Sequence, residues 1–326
     1  MRSGLQIEVK GAGVAARCCG RLLVNKGIDA SFDIRDRPRV PAILLSPGTQ
    51  QLLADVFDRG DLFRSLKQIH RRVVAWGPGE TVTLPHSGVI VSEEELLGRL
   101  GQFKSSAFEL PDWTIHTGGG LPTIKFGSRH ATATRVRLSG VADPDACLME
   151  SGDDGWLFLL PISQESAFLL TAGAETEEML AESRLVQASI DCLLDQAGSF
   201  PCYPRIADPL CGDRWLACGS AAIAFDPLCG DGTGHAIREA ILACAVVESE
   251  LAADELLWEY RLRLWRGFQR HLELCLRYYS TGGGSEWWQE QCASLRDGLH
   301  WMAELRAPYS LGRLHLNGFA LERNAH

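Results

Sequence analysis

The sequence predicts an α/β protein built around a nucleotide-binding βαβ unit, joined to a second, mixed or antiparallel sheet and a helical C-terminal region. Three patterns carry this reading. Residues 5–10 alternate apolar and polar and stop at Gly11-Ala12-Gly13, as a strand does on entering a tight turn. An apolar run at 214–218 leads through a Gly-rich loop, 226–234, into an Ala-rich helix at 235–253. Between these two, residues 130–172 hold several strand-like runs, among them 156–162 and 166–171.

The elements follow in order. Residues 14–26 are rich in Ala, Leu and Val and predict a buried helix that Gly27 ends. Residues 29–35 predict the second strand, completing a βαβ unit with right-handed crossover. The Pro-rich, charged stretch 36–50 predicts a loop. Helical spacing covers 49–58 and 60–69. Residues 71–91 predict a hairpin turning at Gly77-Pro78-Gly79. Ser92-Glu93-Glu94-Glu95 forms a capping box ahead of Leu96, Leu97 and Leu100. Residues 112–117 predict a strand ending in three glycines, and 175–197 a helix. From 256 to about 306 the pattern is helical, interrupted at Thr281-Gly282-Gly283-Gly284-Ser285. Discontinuous pieces, 1–45, 92–125 and 200–255, would form the nucleotide unit. Residues 46–91 and 126–199 would form a substrate unit, and 256–326 the helical tail.

Composition narrows the function. The 326 residues carry 32 Lys+Arg against 41 Asp+Glu, a net charge of −9. An acidic chain lacks the concentrated cations that nucleic-acid phosphates require. No run reaches the roughly 18 apolar residues of a membrane span. The start, Met1-Arg2-Ser3-Gly4, leads into a strand pattern and not into a signal peptide. The 11 Cys are odd in number and include the adjacent pair Cys18-Cys19. They read as reduced, mostly buried thiols of a cytoplasmic protein. No CxxC occurs, so no metal site is expected.

Two motifs carry chemistry. In Gly11-Ala12-Gly13-Val14-Ala15-Ala16 the first glycine permits the bend, and the second lets a pyrophosphate approach the helix N-terminus, where free N–H groups favour an anion. Ala16 is an accepted third position. A plain βα turn would carry the same glycines. An acid should close the second strand about 20 residues on, to hold a ribose. That position is Ile34, flanked by Asp33 and, beyond Arg35, Asp36. The second motif runs from Trp215 through Gly219-Ser220-Ala221 to Asp226-Pro227-Leu228-Cys229-Gly230-Asp231-Gly232-Thr233-Gly234. Its glycines clear space for a flat ring over a helix N-terminus.

This second stretch resembles the second FAD fingerprint of the para-hydroxybenzoate hydroxylase and tryptophan halogenase superfamily. Gly11 and Gly13 match that superfamily's first fingerprint, Asp112 to Gly118 is similar to its middle strand, and Gly155-Trp156-Leu157-Phe158-Leu159-Leu160-Pro161 resembles its Trp-x-Trp-x-Ile-Pro segment. The resemblance covers roughly residues 5–255. It implies a Rossmann-like FAD-binding domain of the glutathione-reductase type. FAD would be held by Gly11, Gly13 and Ala16, by Asp33 or Arg35, and by Gly118 and Ser220. The loop residues Asp226, Pro227, Gly230, Asp231, Gly232 and Thr233 would lie along the ring. It further implies an oxidoreductase of the monooxygenase or halogenase-like type, in which reduced flavin and O2 oxidise an electron-rich substrate, aromatic or a protein-borne Trp. A separate flavin reductase would supply electrons.

The chain departs from the family pattern in places. Ser220 replaces the ribityl-binding Asp, a loss worth about 1.5–3 kcal/mol. Lys67, the only lysine near the halogenase position, lies in a helical pattern. Phe158 replaces the second halogenase Trp, and the stretch between the fingerprints is short. These departures motivate the alternative of a degenerate flavin-fold accessory protein that has lost tight FAD binding. His116 and His235 are the candidates for a catalytic base, each with a purely structural reading beside it. Cys229 and Cys211 read as small hydrophobes before redox groups. Tyr278-Tyr279 and Trp287-Trp288 flank the glycine break, and Arg261, Arg263, Arg266 and Arg270 precede it. The expected alternatives are core packing with a solvated basic face, or a docking surface for a protein substrate.

Overall fold

The computed structural model describes residues 4–34, 37–103, 108–228, 231–305 and 314–323. The first half runs β1 (Gln6–Lys10), α1 (Val14–Asn25), β2 (Asp29–Asp33), β3 (Ile43–Leu45), α2 (Pro47–Phe57), β4 (Lys67–Ala75), β5 (Val82–Val91), α3 (Glu93–Arg99), β6 (Trp113–His116), β7 (Thr123–Lys125), β8 (His130–Leu138), β9 (Ala146–Gly152), β10 (Gly155–Pro161) and β11 (Ser166–Gly173). It continues α4 (Thr176–Ala181), β12 (Ile190–Pro201), β13 (Arg205–Ala207), β14 (Cys211–Gly212), β15 (Trp215–Ala217), β16 (Ile223–Ala224), α5 (Gly232–Glu248), α6 (Ala253–Gly282), α7 (Glu286–Glu304), β17 (Leu314–Asn317) and β18 (Ala320–Arg323).

Two sheets organise the chain. A five-stranded sheet has the order β14-β15-β6-β1-β2. Its inner strands are parallel, β1 pairing with both β2 and β6, and β15 with β6. Ile7, Val9, Ile115 and Leu216 are fully buried there, as strands covered on both faces require. An eight-stranded sheet has the order β12-β8-β11-β10-β9-β4-β5-β3. It is antiparallel except for β4 against β9. A small sheet, β16-β13-β7, joins the two near the second glycine-rich loop.

The α/β class and the βαβ start are as expected, and several boundaries are not. Ile43–Leu45, placed by sequence in the nucleotide unit, edges the larger sheet because it pairs along Val89–Val91. The helical spacing over 60–69 is coincidental. Ser65 turns left-handed at φ 68°, and the strand β4 begins at Lys67. Helix 175–197 stops at Ala181. The buried Glu150 carboxylate accepts the N–H groups of Arg184, Leu185 and Val186, and these bonds replace a continuing helical ladder. Residues 190–201 are then strand, paired with β8. The tail is helical only to Glu304, and an unanticipated hairpin, β17–β18, follows it. Ser92 does cap α3, accepting the Glu95 N–H at 3.0 Å. Among the described residues no helix is long and apolar enough to cross a membrane.

The aromatic doublets of the tail contribute to the core, with Tyr278 alone of the four exposed. Tyr279 and Trp288 are buried, and Trp287 packs on both. Trp288 lies across the chain at Gly282 and Gly283, where any Cβ would meet its ring within 2.5 Å, and its Nε1 donates to the Gly152 carbonyl at 3.1 Å. The doublets that suggested a docking surface therefore lock α6 and α7 onto β9. Trp288→Ala is expected to lower stability by about 3–5 kcal/mol, read as a shift in the urea unfolding midpoint.

Candidate functional site: a cavity between the two sheets

A cavity of about 650 Å³ opens where the glycine turns of the parallel sheet face the larger sheet. One wall is the start of α1, at Gly13, Val14 and Ala15. A second is Ser220 with the loop of Pro227, Asp231, Gly232 and Thr233. The third is the inner face of the large sheet, where Met149, Phe158, Leu170 and Phe200 stand.

The helix α1 starts without a side-chain cap and without an acid in its first turn, so its N–H donors are kept for another acceptor. Two guanidinium groups lie beside this end. Arg37 pairs with the buried Glu93, which also accepts the Val40 N–H at 3.0 Å. Arg39 donates to the Ala12 carbonyl at 3.2 Å. A Cβ on Gly13 would meet the Arg37 guanidinium at 3.1 Å. The positive helix end and these cations favour an anion at this turn.

The second loop is held from behind. Asp231 caps α5, its Oδ1 accepting from Gly234 N at 2.9 Å and its Oδ2 from the Thr49 hydroxyl at 2.5 Å. Thr49 in turn bonds Ser46, the cap of α2. Gly234 is required here, because a Cβ would fall 2.1 Å from Asp231 Oδ2. Gly232 is open, with nothing within 4 Å of its Cβ position.

Asp226 behaves differently from the expectation. It stands at the cavity wall, but both of its carboxylate oxygens are taken by protein donors. Oδ2 accepts from Arg129 Nε and Nη2, at 3.1 and 2.5 Å, and from the Tyr279 hydroxyl at 2.8 Å. Oδ1 accepts from Leu228 N, and the Asp226 N–H donates to His271 Nε2. Arg129 and Asp226 are at most 1% exposed. Gln291 and Trp156 complete the network through Arg129 and Tyr279. Asp226 thus sets the direction of the loop, a role its sequence position did not separate from ligand contact.

Of the remaining predicted residues, Gly11, Ala16, Asp33 and Gly118 stand behind the cavity wall. Gly11 has φ 138°, and a Cβ there would strike Thr117 Oγ1 and Gly118 N, so this glycine permits the close approach of β1 to the end of β6. Its N–H donates to the Asp33 carbonyl at 2.9 Å. Ala16 is buried inside α1. The Ser220 hydroxyl donates to Thr117 O at 3.4 Å. Arg35 and Gly230 lie outside the described residues, as does Cys229. Lys67 forms an ion pair with Asp145 at 2.5 Å, away from the cavity.

Neither candidate histidine is on the cavity wall. His116 stands edge-on to Trp215. His235 stacks behind Phe225 with ring centroids 4.0 Å apart, and burial, with Arg238 nearby, pulls it down to about 4. His271 is likewise held at about 4 by burial, so its Nε2 stays free to accept from Asp226 N. Sequence reasoning missed Glu239. This fully buried acid lines the cavity and accepts the Gly219 N–H at 2.7 Å. Burial pushes it up to about 8, so it is largely protonated at neutral pH. Its only signal was an acid set among Ala, Ile and Leu in the middle of an apolar helix.

This fold is the one shared by flavin-dependent halogenases and hydroxylases, as the sequence resemblance implied. The flavin-dependent halogenase CmlS matches at TM-score 0.75 and 16% identity, over 94% of this chain and 72% of CmlS. The peptidyl tryptophan dihydroxylase QhpG, essential for tryptophylquinone cofactor biogenesis, matches at TM-score 0.74 and 16% identity, over 98% of this chain and 86% of QhpG. Klebsiella pneumoniae HpxO, complexed with FAD and uric acid, matches at TM-score 0.67 and 16% identity, over 95% and 99%. No family model matches the chain, and no curated protein matches it by sequence.

Two outcomes are expected. Asp226→Asn should cost about 3–5 kcal/mol in urea unfolding, because Arg129 is left as an uncompensated buried charge. For Glu239, the folded carboxyl titrates above its unfolded counterpart, so its stabilisation is full below about pH 4.5 and is lost as pH rises through about 8. Glu239→Gln keeps an acceptor for Gly219 and does not ionise. Relative to wild type it should gain about 3–5 kcal/mol on going from pH 5 to pH 9. Unfolding midpoints that change in parallel over that range would contradict the assignment.

Proposed function

We propose that this protein is an FAD-dependent oxidoreductase of the monooxygenase or halogenase-like type, acting on an electron-rich aromatic substrate. The observation that carries this reading is the single cavity shared by two uncrowded helix starts and an aromatic sheet wall. The residues fit a dinucleotide. The uncapped α1 start, with Arg37 and Arg39 beside it, would hold the pyrophosphate. Ser220 would offer its hydroxyl to the ribityl chain. Pro227, Gly232 and Thr233 would bound the ring at the α5 start, with Gly232 leaving room for it.

Bound flavin would supply the redox chemistry with O2. The chain's own part is to hold and shield. Phe158, Leu170 and Phe200 would orient an aromatic substrate, and the apolar wall would exclude water. The likeness to halogenases supports a separate flavin reductase as electron donor. The likeness to QhpG supports a tryptophan-containing substrate, while Tyr279 and Trp288 of the tail are packed in the core and Tyr278 is exposed.

A second reading, an accessory protein without tight FAD binding, is favoured by Ser220 and Ile34, which replace two acids. A titration with FAD separates the two. Saturable binding with a perturbed flavin absorbance band supports the enzyme, and its absence supports the accessory protein. Gly232→Asp should keep the fold, having open space at its Cβ, and weaken FAD at least about 10-fold by placing an acid at the helix start. Undiminished affinity would move the cofactor away from this loop.

A further inference from the structure

Among the described residues, the apolar sheet wall of the cavity carries one cation, Arg72, and no acid pairs with it. Arg72 on β4 sits in register with Cys147 of β9, on the sheet face that also presents Met149 and Phe158. It lines the cavity together with His86 of β5, and Arg72 Nη2 lies 3.4 Å from His86 Nε2. Arg72 Nε is buried without a hydrogen-bond acceptor among the described residues. Its neighbours on the strand differ: Arg71 pairs with Asp143 and Lys67 with Asp145, and neither lines the cavity.

The four acids on the cavity wall among the described residues are engaged elsewhere. Glu93 pairs with Arg37, Asp226 with Arg129, and Asp231 caps α5. Glu239 accepts from Gly219 and is held neutral by burial. The Cys147 thiol beside Arg72 is pushed up by burial and is no counter-ion. His86 is lowered by burial and by Arg72 itself, so it adds no second charge at neutral pH.

We infer that Arg72 anchors a carboxylate on the aromatic substrate, with the substrate's ring against Phe158 and Met149. A guanidinium presents a planar fork of N–H donors that matches a carboxylate in two bonds. One uncompensated positive charge balances one negative charge, which favours a monoanion over a phosphate. A neutral aromatic would pack on the same wall and leave the cation uncompensated in an apolar surround. This inference rests on the proposed reading of the cavity as the place where flavin and substrate meet.

The test compares acids with their amides on the same rings: benzoate against benzamide, and indole-3-acetate against indole-3-acetamide. Binding is measured by calorimetry on the full chain with and without FAD, and FAD affinity is measured separately on the same samples. At least one acid should bind 10-fold or more tightly than its amide. Arg72→Gln should bring that ratio below about 3, while FAD affinity and melting temperature stay within error. Arg72→Lys should keep part of the preference, and Arg71→Gln all of it. No acid binding, acids no tighter than amides, or an unchanged ratio in Arg72→Gln would overturn the anchor. A failure to bind FAD alongside an intact acid preference would overturn the flavin reading and leave the anchor standing.

Discussion

The buried pair of Arg129 and Asp226 is the constraint on which the rest of this structure depends. Arg129 directly precedes β8 in the large sheet, and Asp226 opens the loop that becomes α5. Through Tyr279 and Gln291 the same pair reaches α6 and α7, and through Trp156 it reaches β10. Five segments distant in sequence thus converge on two charges that water does not reach. Such a pair adds little net stability over an apolar core of the same shape, but it tolerates few alternative arrangements. Its product is placement. The loop at Pro227 and the aromatic face of the sheet are held at a fixed separation, and that separation defines the cavity.

A second layer of polar contacts refines the placement. Asp231, Thr49 and Ser46 tie the starts of α2 and α5 together, and Glu239 fixes Gly219 at the turn before β16. Both devices engage carboxylates of the cavity wall in contacts that hold the glycine turns. The turns themselves present backbone groups and the Ser220 hydroxyl, which suits a large planar ligand recognised mostly through backbone groups.

The sequence announced the parts of this site that follow a local rule. Gly11, Gly13, the Ser92 cap and the Asp226–Gly234 loop each leave a short-range signature, because backbone geometry or capping dictates the residue type within a few positions. Local signals failed where a distant partner decides. Residues 190–201 have no strand signature strong enough to outweigh a helical pattern, and it is the distant Glu150 that takes the N–H groups of Arg184 to Val186 that a helix would use. The role of Asp226 needed Arg129 and Tyr279, and Arg72 drew no notice while its lack of an acidic neighbour was invisible. The tail aromatics were legible as a cluster, with core packing one of two readings, but their partners Gly152 and Trp76 were not, since these come from the other half of the chain.

Tyr278 and Leu274 of α6 line the cavity, while one residue on from Tyr278, Tyr279 is bolted into the Asp226 network. The Trp76 ring meets Tyr278 edge-on, and its Nε1 donates to the Tyr278 carbonyl. Helix α6 is therefore part of the rim of the cavity as well as of its brace. A helix anchored so firmly at one residue has little freedom at the next, so the mouth has a set width. The size of molecule admitted is decided by how α6 seats on the sheet, far from either glycine turn.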